Sequence, residues 1–298
     1  MDSVLTQVFL PIALGVVMLG LGLSLTLDDF RRVVRYPKAV AIALGCQVVV
    51  LPAVCFGLVL AFGLDPALAV GMMLLAASPG GTTANLYSHL FGGHVALNVT
   101  LTAVNSVLAV FTLPIVVNIA LSRFVTGSGE VGLQFGEVLK VFAIVLVPVA
   151  IGMLVRAKWP ALATRLDKPV RILSVVVLAL VIVGTIVRER DNIVDYFVAV
   201  GVVALLFNLI SLAVGYGVPK LASVGERESV ASGFEVGIHN GTLAIAIAVS
   251  LLDSTEMAMP AAVYSLIMFF TAAGFGWLVT RRGVGAAVAE PAPAAPEA

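Results

Sequence analysis

The sequence predicts an all-α integral membrane protein of nine transmembrane helices built as two inverted repeats. Three observations predict it. Of 298 residues, 60% are hydrophobic and 11% charged, against about 25% charged in soluble domains. With one exception, the charges fall between nine apolar runs. Two of those runs carry helix breakers at their centres and point in opposite directions across the membrane.

The runs cover about 4–27, 39–62, 66–88, 95–121, 141–155, 172–187, 196–218, 229–252 and 258–280. No ten-residue alternation marks strands of a barrel, so the runs are helical. Residues 66–122 contain no Asp, Glu, Lys or Arg. That length exceeds one span of about 20 residues, so two helices join near 91–94. The fifth and sixth runs are short and draw on flanks that include Lys140 and Arg171. The first run is a full span with no Lys or Arg before it, and reads as retained rather than as a cleaved signal. Cys46 and Cys55 lie nine residues apart on one helix, on opposite faces at about 100° per residue, and read as packing residues. Residues 1–282 form one transmembrane domain, and the Ala/Pro-rich residues 283–298 read as a disordered tail.

Cationic residues orient the chain. With the N-terminus outside, the inner loops and C-terminus hold 13 Lys and Arg. The outer segments hold four, namely Arg123, Lys140, Arg188 and Arg190. This asymmetry predicts N-out, C-in. The cluster Arg31, Arg32, Arg35 and Lys38 reads as an inner-surface anchor. Zero net charge offers no patch for nucleic acid.

The third run is broken at Pro79-Gly80-Gly81, followed by Thr82, Thr83 and Asn85. Proline removes a helix hydrogen bond and two glycines weaken the next turn. The eighth run carries Gly237, His239, Asn240 and Gly241 just after Glu235, the one charged residue inside any span. An ionised side chain at mid-bilayer costs about 2.5–3.5 kcal/mol even on the lenient insertion scale, and such residues mark ion pathways. Broken helices expose carbonyls suited to a cation and amides suited to an anion. Together the breaks carry the pattern of an inverted-repeat secondary transporter.

SPGGTTANLYSHLFGGHVALNVTLTAVNS (78–106) and FEVGIHNGTLAIAIA (234–248) resemble the bile acid:sodium symporter family. LGVVMLGLGLSLTLDDF (14–30), YPKAV (36–40) and GCQVVVLP (45–52) extend the likeness to nearly the whole chain except the tail. The resemblance implies a panel domain, about 4–30 and 138–190, and a core domain, about 36–122 and 196–280. Spans three and eight would cross in the core, with substrate between panel and core.

Carried over by matching residue, the resemblance implies a sodium site of Asn85, Asn98, Thr102 and Glu235. A second sodium site would use Gln47, Glu235, the carbonyls of Val236 and Ile238, and His239. Three positions depart from the family: Asn98 stands where Ser is frequent but still supplies an oxygen, Ala84 supplies no side-chain ligand, and His239 stands where Gln is common. A neutral imidazole is a poor ligand for Na⁺, so His239 leaves one or two coupling ions open, or adds a protonatable group. Thr82, Thr83 and Asn240 are the implied substrate contacts, at broken segments that favour a carboxylate. Asn98 and Thr102, four apart, share a helix face on geometry alone.

The expectation is therefore a sodium-coupled symporter of a prokaryotic inner membrane, importing an organic anion, bile-acid-like or small, with sodium and the bilayer as its other partners. A proton-coupled or uncoupled carrier of the same fold is the alternative. No catalytic constellation, transition-metal motif or organic-cofactor motif is present. His89 and His94, in the loop between spans three and four, read as structural or gating residues.

Overall fold

The computed structural model describes residues 10–125, 135–166, 168–170, 172, 173, 176 and 193–281. The first residues of the first run, nearly all of the sixth run, Arg188, Arg190 and the tail lie outside them. Among the described residues every regular element is helical.

Helix α1 (Leu10–Ser24) ends at a turn into α2 (Leu27–Arg31). Thr26 caps α2: its hydroxyl accepts from the Asp29 N–H at 3.3 Å, while the Asp29 carboxylate accepts from the Thr26 N–H at 2.7 Å. This reciprocal box satisfies amides that a helix start leaves open. Asp29 also accepts from Arg32 at 2.6 Å, fixing part of the basic segment.

Next comes one apolar helix over Pro37–Phe62, made of α3 (Pro37–Gly45), a π-helical segment (Cys46–Val50) and α4 (Leu51–Phe62). Pro52 has no N–H to give the Val48 carbonyl, and the Leu51 N–H instead bonds to the Cys46 carbonyl, five residues back. Cys46 and Cys55 are both buried and free.

The third run is two helices, α5 (Pro66–Ala77) and α6 (Thr82–Leu90). After a turn at 91–94 the chain enters α7 (Val95–Phe124), the join expected from the uncharged stretch. There His94 caps α7, its Nδ1 accepting from the Leu97 N–H at 3.1 Å. Its Nε2 lies 3.0 Å from the Tyr36 hydroxyl, and its backbone N–H donates to the Arg227 carbonyl at 2.9 Å. In this arrangement His94 is structural.

The chain continues through α8 (Phe135–Lys158), α9 (Ile193–Leu221), α10 (Glu226–Gly237), α11 (Gly241–Ser250) and α12 (Met259–Arg281). Four stretches among the described residues are long and apolar enough to cross a membrane: Pro37–Phe62, Val95–Phe124, Tyr196–Leu221 and Glu256–Arg281. The first helix of each broken run lies inside. Every α5 residue from Leu68 to Ala77 is buried, as is every α10 residue from Ser229 to Gly237. A helix buried on all sides runs through the protein interior rather than along lipid. Helix α5 packs on α7, and α10 packs on α6, α7 and α9. This packing brings the two broken runs to one place.

Candidate functional site

The site begins at the two interruptions. Ser78 leaves helical geometry at the end of α5 and its hydroxyl donates back to the Leu74 carbonyl at 3.0 Å. Pro79, Gly80 and Gly81 follow, and Thr82 and Thr83 open α6 with the free amides of a helix start. On the other run α10 ends at Gly237, Ile238 is extended, and Asn240 caps α11, its Oδ1 accepting from the Leu243 N–H at 3.0 Å. The Asn240 N–H donates to the Pro79 carbonyl at 2.8 Å. Gly80 and His239 form an antiparallel bridge. The two interruptions therefore cross and are hydrogen-bonded to each other.

Glu235 stands in the last turn of α10 and is 1% exposed. Its Oε2 accepts from the Thr102 hydroxyl at 2.6 Å. A Cβ on Gly80 would lie 2.3 Å from Glu235 Oε1, so only glycine lets the first break approach this carboxyl. Asn98 donates from Nδ2 to the Ser88 hydroxyl at 2.6 Å and to the Ala231 carbonyl at 2.9 Å. It thereby joins α7 to α6 and α10. The Ala84 carbonyl faces the same amide at 3.5 Å.

A second group surrounds His239. Its Nδ1 lies 3.1 Å from the Ser78 carbonyl, which only accepts, so the hydrogen-bond network assigns the proton to Nδ1. Gln47, held in the π-helical segment, donates from Nε2 to the same carbonyl at 3.1 Å. Phe207 stacks on the imidazole with ring centroids 5.5 Å apart, and Tyr264 meets it edge-on at 5.4 Å. The carbonyl freed at Gly237 accepts from Asn208 and from Tyr264, each at 2.9 Å.

Most buried polar atoms in proteins find a partner, so exceptions carry information. Here the buried side-chain oxygens without one, among the described residues, are Gln47 Oε1, Asn85 Oδ1, Asn98 Oδ1, Glu235 Oε1, Ser232 Oγ and Ser250 Oγ. The first four belong to residues nominated from the sequence, and the two serine hydroxyls do not. His239 Nε2 is likewise unpartnered. Thr102, Val236 and Ile238 are buried on the same elements. Hard oxygen donors with a single carboxylate fit an alkali cation. Three or more His, Cys, Asp or Glu that could hold a metal do not cluster among the described residues.

Of the nominated substrate contacts, Asn240 lines a small cavity beside the crossing together with Met18, Leu21, Pro79, Ser106 and Leu243. Thr83 is not among the residues described as lining it; Thr82 and Thr83 start α6. Sequence reasoning missed Ser78, Ser88 and Asn105. Asn105 lies on α7 seven residues after Asn98 and three after Thr102, on their face, and faces the Glu235 carboxyl. That spacing was a usable signal.

The profile of the sodium bile acid symporter family matches residues 11–196. The chain is similar to the sodium-dependent transporter YocS of Bacillus subtilis (strain 168), at 29% identity over 258 residues, covering 87% of this chain and 78% of that protein. It is also similar to the ileal sodium/bile acid cotransporter of Oryctolagus cuniculus, at 26% identity over 277 residues, 92% of this chain and 79% of that protein. With more than half of its length matched by the profile, and both interruptions in place, the chain belongs to the sodium bile acid symporter family.

Proposed function

We propose that the protein is a sodium-coupled symporter that imports an organic anion across a prokaryotic inner membrane by alternating access. The observation that carries this reading is the set of buried, unpartnered oxygens on Gln47, Asn85, Asn98 and Glu235 around crossed helix breaks. Such oxygens are costly to bury without a partner, and a desolvated Na⁺ is the partner their chemistry suits. Asn85, Asn98, Thr102 and Glu235 would hold one ion. Gln47, Glu235 and the carbonyls of Val236 and Ile238 would hold a second, with His239 beside it. The chain would sit N-out and C-in, with α1 and α8 in a panel that moves against the core.

Coupling follows from charge. No Lys or Arg lies within the predicted spans, so an anion at Asn240, Thr82 and Thr83 must rely on amides, hydroxyls and bound cations. Without sodium, Glu235 repels the anion; with sodium, the crossing becomes neutral or positive. The apolar wall of the adjoining cavity, from Met18, Leu21 and Leu243, favours an organic body behind the anionic group.

His239 supports a second reading for one of the two ions. Its Nδ1–H is engaged by Ser78 and its Nε2 lone pair is buried and unpartnered, a position where a proton could replace a sodium. Uptake with one sodium per anion and a dependence on a proton gradient would select that version.

The decisive measurement is the melting temperature of purified protein in Na⁺ against K⁺, for wild type and Glu235→Gln. We expect a Na⁺-specific rise that the variant loses, alongside Na⁺-driven anion uptake in proteoliposomes. An identical melting temperature in both salts for the wild type would remove the sodium reading.

A further inference from the structure

Away from the crossing, α1 and α8 meet at two glycines. A Cβ on Gly22 would lie 2.2 Å from the Val149 carbonyl, and one on Gly152 would lie 2.6 Å from the Leu19 carbonyl. The helices touch at that level. Beyond it α1 stops at Ser24 and the chain turns through Thr26 into α2, while α8 runs on to Lys158. The contact therefore opens into a wedge. It is a cavity of about 810 Å³ at the end of the molecule that carries the basic loops.

The lining is amphipathic. Its apolar floor includes Leu25, Ala150 and Ala157, and Leu27 and Leu154 stay 61% and 50% exposed at its edge. Arg31, from α2, and Arg156, from α8, both line the cavity. Arg31 is paired with Asp28 at 3.0 Å, the only carboxylate among the described residues of the lining. Arg156 donates to the Thr164 hydroxyl at 3.3 Å, a neutral partner that uses one of five guanidinium donors. Two guanidiniums against one carboxylate leave the described lining cationic. Trp159 follows directly and is 55% exposed, the side chain typical of headgroup level.

We propose that this wedge is a binding site for an anionic phospholipid, its phosphate held between Arg31 and Arg156 and its first methylenes on the apolar floor. A free phosphate would use the two guanidiniums and leave the exposed leucines in water. A zwitterionic lipid would cover the leucines and gain little from the net positive charge. Only an anionic lipid satisfies both walls, and basic pockets between helices at the inner leaflet are suited to such headgroups. The site lies between α1 and α8 and is separate from the sodium-coupling residues, so its failure would leave the symporter reading intact.

The test is retention of phosphatidylglycerol against phosphatidylcholine by the full chain, read by native mass spectrometry of protein from mixed-lipid nanodiscs. We expect preferential retention of phosphatidylglycerol by the wild type and by Lys158→Ala/Arg165→Ala. We expect a loss of about tenfold or more in Arg31→Ala/Arg156→Ala, which removes both headgroup contacts. Ala157→Phe fills the floor without changing charge and should also lose the lipid, so the proposal does not depend on the folding of one variant. Equal retention of the two lipids would overturn it. So would equal loss in Lys158→Ala/Arg165→Ala, which would indicate diffuse surface attraction, or displacement by inorganic phosphate at matched ionic strength, which would indicate a free-anion site.

Discussion

Gly80 sits at the crossing with no room for a side chain. A methyl group there would sit 2.3 Å from Glu235 Oε1, a separation that ordinary contacts do not reach, and Glu235 is held on its other oxygen by Thr102. Gly80→Ala must therefore push the carboxyl or the break itself. Overpacking of this kind costs about 1–3 kcal/mol, so the melting temperature in K⁺ should fall by several degrees. The sodium-dependent rise should fall with it, because the displaced oxygen is one of those assigned to the ion. Gly81→Ala is the control, since nothing lies within contact distance of a Cβ there. Equal Na⁺ responses in the two variants would separate Gly80 from the ion site. Glu235 and the two glycine-rich breaks were legible as single residues because charge and breakers are rare inside apolar runs, whereas Asn98 and Thr102 were nominated through the family resemblance. Ser78 and Ser88 were not, since a serine in a membrane helix most often bonds to its own backbone, as the Ser78 hydroxyl does.

Elements were legible where their cause is local. Pro79 with two glycines interrupts the third run, Gly237 and Asn240 interrupt the eighth, and a run too long for one span must contain a turn. The π-helical segment at Cys46–Val50 escaped notice because its cause is a missing donor, four residues from the carbonyl it affects. Pro52 cannot bond to Val48, and the turn before it widens by one residue. The widening places Gln47 against the Ser78 carbonyl at the first break. Pro52→Ala restores the donor and lets 37–62 relax to a regular α-helix. Removing one residue from the turn rotates Gln47 by about 100° relative to the helix beyond. The expected result is unchanged or higher stability in K⁺ with a weaker response to Na⁺. A full sodium response in Pro52→Ala would mean that the segment does not aim Gln47.

At the scale of the whole molecule, periodicity located the runs but could not say which of them meet. Helices α5 and α10 are buried on all sides, and only packing reveals that their ends are bridged through Gly80 and His239. The direction of the chain rests on loop charge, and native cysteine placement makes it testable. Cys46 and Cys55 are 2% and 0% exposed, so the unmodified protein should be silent to a membrane-impermeant maleimide. Asp65, exposed between α4 and α5, and Arg35, exposed before α3, fall on opposite sides of any membrane that Pro37–Phe62 spans. In the N-out arrangement Asp65→Cys reacts in intact cells and Arg35→Cys reacts only after permeabilisation. The reverse pattern would invert the protein and put the lipid wedge in the outer leaflet. It would also require the anion to approach the crossed breaks from the opposite side.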